Sequence, residues 1–103
     1  MLIARDSRPQ HLDALGRLCI RGGEVSSYLF QVPSDDEQAQ EIRRILRDII
    51  GECEPTSHAE LPRIAESMLD VSDQLPSIAA ADDLVSGFDR MLKLWEASRS
   101  GLF

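Results

Sequence analysis

The chain has 103 residues, a net charge of −7 and 43% hydrophobic residues, few of which are aromatic. This length predicts one domain, residues 1–103, with one modest core. The acidic charge argues against nucleic-acid binding, which needs Lys and Arg to neutralise phosphates, and disfavours anionic membranes. The sequence contains no signal-peptide pattern, no apolar run of membrane-spanning length and no paired cysteine motif, so the predicted location is the cytoplasm, with reduced thiols.

The first predicted helix follows Ser7, a candidate N-cap, and carries its apolar residues at helical spacing. The Gly22–Gly23 pair interrupts this pattern, and each glycine costs a helix interior about 1 kcal/mol relative to alanine. We therefore expect a kink or a split into two short helices there, with packing against a neighbour that approaches the helix backbone closely as the reason for the pair. Residues 28–32 form an apolar run that also fits a short strand, but no second strand is available to pair with it.

The second predicted helix begins at a capping box formed by Ser34 and Glu37. It ends near Ile50, with Gly51 as the terminating residue. Arginines on its polar face are interpreted as solvated surface: Arg43, Arg44 and Arg47. Its predicted buried stripe comprises Ala39, Ile42, Ile45, Leu46, Ile49 and Ile50.

The third predicted helix starts near Ala59, with Pro62 in its opening turn, and Pro76 ends it. Ser77 is expected to cap the fourth helix, and Gly101 is a candidate terminator. The fourth helix has the longest apolar stripe of the sequence: Ala81, Leu84, Val85, Phe88, Met91, Leu92 and Trp95. Four amphipathic helices joined by short loops predict an all-α fold, an antiparallel up-down four-helix bundle.

The sequence contains no hydrolase, phosphate-binding or dinucleotide-binding motif, so no catalytic or cofactor-binding residue is predicted. The two histidines do not have metal-ligand spacing, and no metal site is predicted. His58 and His11 are candidate phosphoacceptors, because a neutral imidazole is a competent nucleophile. The alternative is that both are ordinary surface histidines, since neither is accompanied by a positioned base or cation.

Residues 63–70 read Arg-Ile-Ala-Glu-Ser-Met-Leu-Asp. In phase and polarity this stretch resembles the Ala-His-Ser-Leu-Lys-Gly stretch of histidine-phosphotransfer bundles. The resemblance implies a helical signalling bundle. Glu66 occupies the position of the phosphorylated histidine, and Leu69-Asp70 replaces Lys-Gly. The resemblance therefore implies a degenerate docking module that does not take phosphate at this position.

Trp95 ends the stripe of the fourth helix, and tryptophan is common both at the ends of bundle cores and at protein interfaces. In the second interpretation it forms an apolar patch at the C-terminus together with Leu94, Leu102 and Phe103. Such a patch binds a partner or a second copy of the chain.

These observations predict a non-enzymatic, cytoplasmic protein-interaction or regulatory module, in bacterial signalling according to the resemblance. Its partner is another protein or a second copy in a homodimer, bound through a helix face. Two alternatives remain open. One is a phosphotransfer protein that uses His58 or His11, and the other is an acidic inhibitor or antitoxin-like protein that covers a basic partner.

Overall fold

The computed structural model describes residues 8–53 and 60–99. These residues form four α-helices: α1 Arg8–Gln31, α2 Asp36–Cys53, α3 Glu60–Ser72 and α4 Ile78–Arg99. α1 packs against α2 and α4, and α3 packs against the same two helices, so the helices form a closed ring. The prediction of an all-α four-helix bundle is confirmed.

Glycine contacts define how α1 and α4 run relative to each other. Gly16 of α1 lies against the ring of Trp95, and Gly22 lies against the ring of Phe88. As the residue number rises along α1, the number of its partner falls along α4. The two helices are therefore antiparallel, as expected for neighbours in an up-down bundle.

One apolar cluster fills the centre of the ring. On α2, the predicted stripe is buried except for Ile50, which is partly buried, and Cys53 extends it by one turn. The fully buried side chains of the cluster come from all four helices and include Leu15, Leu29, Ile42, Ile49, Leu61, Leu84, Phe88 and Met91. Each large apolar side chain that is removed from water contributes about 1.5–3 kcal/mol, and this burial holds the bundle together.

α1 is one continuous helix, so the predicted split at Gly22–Gly23 is wrong. A Cβ atom at Gly22 would collide with the ring of Phe88, and packing is the reason for this glycine, as predicted. The neighbour that needs the space is an aromatic side chain. Residues Tyr28 and Phe30 are helical, so the strand alternative is also wrong.

Asp35, rather than Ser34, caps the start of α2. Its Oδ1 accepts a hydrogen bond from the backbone N–H of Gln38 at 3.2 Å, and its carbonyl oxygen accepts one from the N–H of Ala39 at 3.1 Å. Aspartate caps a helix as well as serine does, and here it lies directly before the first helical residue. α2 also continues past Gly51, because buried Cys53 holds its last turn against the core.

α3 begins at Glu60 with Pro62 in its opening turn, as predicted, but it ends at Ser72, before Pro76. The chain then continues in tighter turns, in which the N–H of Gln74 donates to the carbonyl of Val71 at 2.9 Å. The Leu75–Pro76 peptide bond is cis. Ser77 caps α4 as predicted, since its Oγ accepts a hydrogen bond from the N–H of Ala80 at 3.3 Å.

Arg43 of α2 reaches across to the end of α3. Its Nη2 donates to the carbonyl oxygen of Ser72 at 3.0 Å, and its Nε donates to the Ser72 hydroxyl at 3.3 Å. Only 20% of the Arg43 side chain is exposed. The prediction that it lies on a solvated polar face is therefore wrong, because it satisfies a carbonyl that the helix end leaves without an intrahelical donor.

None of the helices in the described part of the chain is both long and apolar enough to cross a membrane. The candidate cap Ser7 and the candidate terminator Gly101 lie outside the described residues.

Candidate functional site

Three of the side chains singled out from the sequence lie on α3 and α4. Glu66 is exposed on α3, whereas Leu94 and Trp95 are partly buried on α4 and pack against the core cluster. The Trp95 ring covers Gly16 of α1, which places it at the α1–α4 contact. The other candidates lie outside the residues whose side chains are described: His11, His58, Leu102 and Phe103.

Large apolar side chains that face solvent are concentrated on α1 and at the start of α4. Ile20 is 50% exposed, Phe30 44% and Ile78 58%. Tyr28 and Val32, near the end of α1, are exposed as well. A single exposed apolar residue is ordinary on a soluble protein, but a group of them marks a binding surface.

The residues around these side chains form one continuous surface on two neighbouring helices. On α1 they follow each other at steps of three, four and three, and on α4 at steps of four, three and four, which places each set on one side of its helix. We call this surface the α1/α4 face: Ile20, Gly23, Ser27 and Phe30 of α1, with Ile78, Asp82, Val85 and Asp89 of α4. A groove of about 320 Å³ runs between the helices and is lined by Ser27, Phe30, Gln31, Asp82 and Val85.

Small residues lie between the large apolar side chains of α1 on this face. A Cβ atom at Gly23 would meet no atom within 4 Å, so nothing in the described structure requires a glycine there. Ser27, one turn further on, is exposed and adds little bulk. The α1 side of the groove is therefore open between Ile20 and Phe30.

Acidic side chains border the α1/α4 face. Asp82 lines the groove, Asp89 lies two turns further along α4, and Glu24 is exposed on α1. Lys93 Nζ lies 3.0 Å from Asp89 Oδ2, but both side chains are largely exposed, with 74% and 60% of their surfaces accessible. Exposed pairs of this kind contribute well under about 1 kcal/mol, so a binding cation can compete with Lys93.

The arginines with described side chains point to other parts of the surface. Arg17 and Arg47 line a groove of about 470 Å³ between α1 and α2. Arg63 and Arg90 line a groove between α3 and α4. Of the remaining arginines, Arg21 and Arg44 interact with Glu41 of α2, and Arg43 interacts with Asp73 after the end of α3. The border of the α1/α4 face thus carries the carboxylates of Asp82, Asp89 and Glu24 with one described cation, Lys93, and its charge is net negative.

Arg44 forms a two-pronged contact with Glu41 on the surface of α2. Its Nη2 donates to Glu41 Oε2 at 2.6 Å, and its Nε donates to Oε1 at 3.1 Å. Hydrogen bonding from Arg44 lowers the pKa of Glu41 and outweighs the opposing effect of desolvation, and the charges of Arg44 and Arg21 lower the pKa further. These charges are engaged within the bundle, away from the α1/α4 face.

The groove between α3 and α4 is larger, at about 510 Å³, but it differs in its lining. Its apolar residues, Ile64, Met68 and Val71, are buried or partly buried, and none is among the large apolar side chains that face solvent. Charges of both signs surround it, from Glu60, Arg63, Asp83 and Arg90. Exposed apolar area therefore favours the α1/α4 face as the binding surface.

Tyr28 is exposed but already engaged within the chain. Its hydroxyl donates a hydrogen bond to Asp35 Oδ2 at 2.8 Å, and this bond raises the pKa of Tyr28. The same carboxylate caps α2 through its other oxygen. Tyr28 therefore fixes the α1–α2 connection, and we do not include it in the α1/α4 face.

The two thiols lie in the core, as expected for reduced cysteines. Burial raises the pKa of Cys19 to about 12, with a smaller contribution from Cys53, and it raises the pKa of Cys53 to about 11. Nucleophilic cysteines have the opposite property, a lowered pKa in a polar and accessible setting. Neither thiol has the environment of an activated nucleophile.

Reasoning from the sequence missed Ile20, Phe30 and Ile78 as surface residues. The signal for two of them was present in the pattern of α1, where Cys19 and Leu29 belong to the buried stripe. The next residue along an α-helix points about 100° away, so a residue that follows a buried one can face solvent, as Ile20 and Phe30 do.

Within the described side chains, no group of three or more His, Cys, Asp or Glu residues is arranged to hold a metal ion. No protein-family model, curated protein or solved structure matches the chain.

Proposed function

We propose that this protein is a non-enzymatic interaction module that binds a protein partner through the α1/α4 face. The observation that carries the proposal is the presence there of Ile20, Phe30 and Ile78, each roughly half exposed. Full burial of one such side chain contributes about 1.5–3 kcal/mol, and much of this free energy is still available to a partner. The buried thiols of Cys19 and Cys53 support a reducing compartment, such as the cytoplasm.

The test compares proteins captured from an extract of the source cells by the wild-type chain and by surface variants. The double variant Ile20→Ser/Phe30→Ser removes the apolar contacts of the face. Val32→Ser is the matched control, because it removes an exposed apolar side chain outside the face. Circular dichroism establishes that all three proteins have the same helix content.

We expect the wild type and Val32→Ser to recover the same captured protein in similar amounts. The double variant should recover at least about tenfold less of it, because central apolar side chains dominate interface energies. The captured protein, once purified, should show the same order of dissociation constants in a two-component titration. Equal recovery of every captured protein by the wild type and the double variant would contradict the proposal.

Phosphotransfer through His58 or His11 makes a separate prediction. A phosphohistidine gives an acid-labile label after incubation with radiolabelled acetyl phosphate. The interaction module is expected to take up no such label. A label that disappears in His58→Ala or in His11→Ala would replace the proposal with the phosphotransfer alternative.

A further inference from the structure

We propose that the partner presents a basic amphipathic helix, which lies along the groove between α1 and α4. This inference rests on the proposed function and goes beyond it, because it assigns the shape and charge of the bound segment. Three features of the α1/α4 face support it: the length of its apolar strip, the small residues inside that strip and the acidic border.

The length of the strip fits a short helix. Ile20 and Phe30 are ten residues apart, which corresponds to about 15 Å along α1. A bound helix covers this distance in about three turns, so apolar residues at i, i+3 or i+4, i+7 and i+10 or i+11 reach both side chains and the groove between them. Val85, which is partly buried, lines the groove from the α4 side.

The shape of the strip fits the same occupant. A third helix packs onto two antiparallel helices by placing its ridge of side chains into the groove between them. Among the described residues, nothing beyond the adjacent backbone of α1 lies within 4 Å of the position that a Cβ at Gly23 would occupy, and Ser27 is small and exposed. The middle of the strip therefore admits large apolar side chains of a partner between Ile20 and Phe30.

The charge of the border selects a basic partner. Asp82 and Asp89 lie seven residues apart on α4, a distance of about 10 Å, and Glu24 is exposed on the α1 side. Lysine or arginine residues two turns apart on the bound helix reach both aspartates. Charge complementarity of this kind orients a partner and speeds association.

The same charges disfavour a second copy of this chain as the occupant. Two copies packed face to face would bring the acidic borders of both α1/α4 faces together. Lys93, beside Asp89, is the one described cation at this border, and the described arginines lie on the other sides of the bundle, so the carboxylates of the border outnumber its cations. The net charge of −7 adds general repulsion between copies.

The experiment uses a fluorescein-labelled synthetic peptide of leucine and lysine, about 15 residues long, with leucine at helical spacing and lysine on the opposite face. A matched peptide carries glutamate in place of every lysine. Fluorescence anisotropy gives the dissociation constants for the intact chain, and ¹H–¹⁵N chemical-shift changes locate the bound peptide. We expect the lysine peptide to bind, with affinity falling as salt is added, and the glutamate peptide not to bind.

Variants separate binding at the groove from general attraction to an acidic protein. Asp82→Asn/Asp89→Asn removes two charges from the border, and Glu66→Gln/Asp70→Asn removes two exposed charges from α3 as the matched control. We expect the α4 double variant and Ile20→Ser/Phe30→Ser each to weaken lysine-peptide binding at least about tenfold. The α3 control should change it less than about twofold.

Three results would overturn the inference. The first is no binding of the lysine peptide to the wild type, and the second is an equal loss of affinity in the α3 control and the α4 variant. The third is dimerisation of the chain through the α1/α4 face. Light scattering would then give a dimer mass that falls to the monomer mass on dilution, and also in Ile20→Ser/Phe30→Ser. The first two leave the proposed function standing if the double variant still loses its captured partner, so the two failures are distinguishable.

Discussion

Along α1, the side that faces the core and the side that faces solvent are built from neighbouring residues. On the inner side, Cys19 is 1% exposed and Gly22 lies against the ring of Phe88. On the outer side, Ile20 is 50% exposed and Gly23 has no neighbouring atom that would oppose a side chain. Packing within the chain explains the inner residues. It does not explain an apolar side chain and a helix-weakening glycine on the outer side, and these two residues belong to the face that we propose as the binding surface.

The largest expected difference between the two sides is in the reactivity of a thiol. In a Cys53→Ala background, we compare Cys19 with a cysteine placed one residue further on, by Ile20→Cys combined with Cys19→Ala. Burial, with a smaller contribution from Cys53, raises the pKa of Cys19 from 9.0 to about 12 in the wild type. Burial remains in the Cys53→Ala background, where it lowers the thiolate fraction of Cys19 near neutral pH and also keeps the reagent out. We expect the outer thiol to react with a disulfide reagent at least about a thousand times faster.

The control for this comparison is the same reaction in concentrated urea, where both thiols should react at similar rates because the fold no longer protects Cys19. Similar rates in the native protein would show that the inner side of α1 is open to solvent, and the assignment of the two sides would be wrong.

The second comparison replaces the inner glycine. Gly22→Ala places a methyl group against the Phe88 ring, which is buried and cannot move without disturbing the core. Overpacking of this kind costs about 1–3 kcal/mol, and the better helix propensity of alanine returns less than about 1 kcal/mol. We expect a net loss of about 1–2 kcal/mol in the free energy of unfolding, measured by urea denaturation.

The cause of that loss is tested with Phe88→Leu, which removes the ring that the new methyl group meets. In this background the cost of Gly22→Ala should fall by about 1 kcal/mol, because residues in direct contact have coupled effects on stability. If Gly22→Ala costs the same in the wild-type and Phe88→Leu backgrounds, the ring is not the reason for the glycine.

Helical periodicity was enough to predict the bundle, because each amphipathic helix must bury its apolar stripe against the others. Ala39, Leu61 and Leu84 each lie in such a stripe. The ends of the helices were predicted less well. Ser34 and Asp35 are both good caps, and only the three-dimensional arrangement places the Asp35 carboxylate on the N–H of Gln38. Likewise, only the packing of α2 on α3 reveals that Arg43 serves the end of another helix.

The proposed binding surface was harder to identify from the sequence than the fold. The sequence directed attention to Leu94 and Trp95, where apolar residues follow the longest stripe, but the Trp95 ring is used in covering Gly16. Ile20 and Phe30 were overlooked because each directly follows a buried residue. The apolar pattern was used to find the buried positions, and apolar residues adjacent to them were not examined as surface residues. The acidic border depends on how α1 and α4 pack against each other. Residue spacing along a single helix does not predict that packing.

The third comparison replaces the outer glycine. Gly23→Ala meets no neighbouring atom and removes the flexibility of glycine from a helix interior, so it should stabilise the protein by about 0.5–1 kcal/mol. The measurement is the same urea denaturation, with Gly22→Ala as the matched variant of opposite sign. A loss of stability in Gly23→Ala would mean that the fold itself requires this glycine, and it would weaken the case for an external contact at this position.

The smallest expected effect separates the adjacent serines of α1. Ser26 is fully buried, and its hydroxyl has no hydrogen-bond partner among the residues that the structure describes, whereas Ser27 is exposed on the α1/α4 face. Both serine-to-alanine changes improve helix propensity by a similar amount, but only Ser26→Ala removes a polar group held away from water. We expect Ser26→Ala to stabilise the protein by about 0.5 kcal/mol more than Ser27→Ala does, measured by urea denaturation. If Ser26→Ala is instead the less stable of the two, the buried hydroxyl makes a favourable contact, and the inner side of α1 is then not held by apolar packing alone.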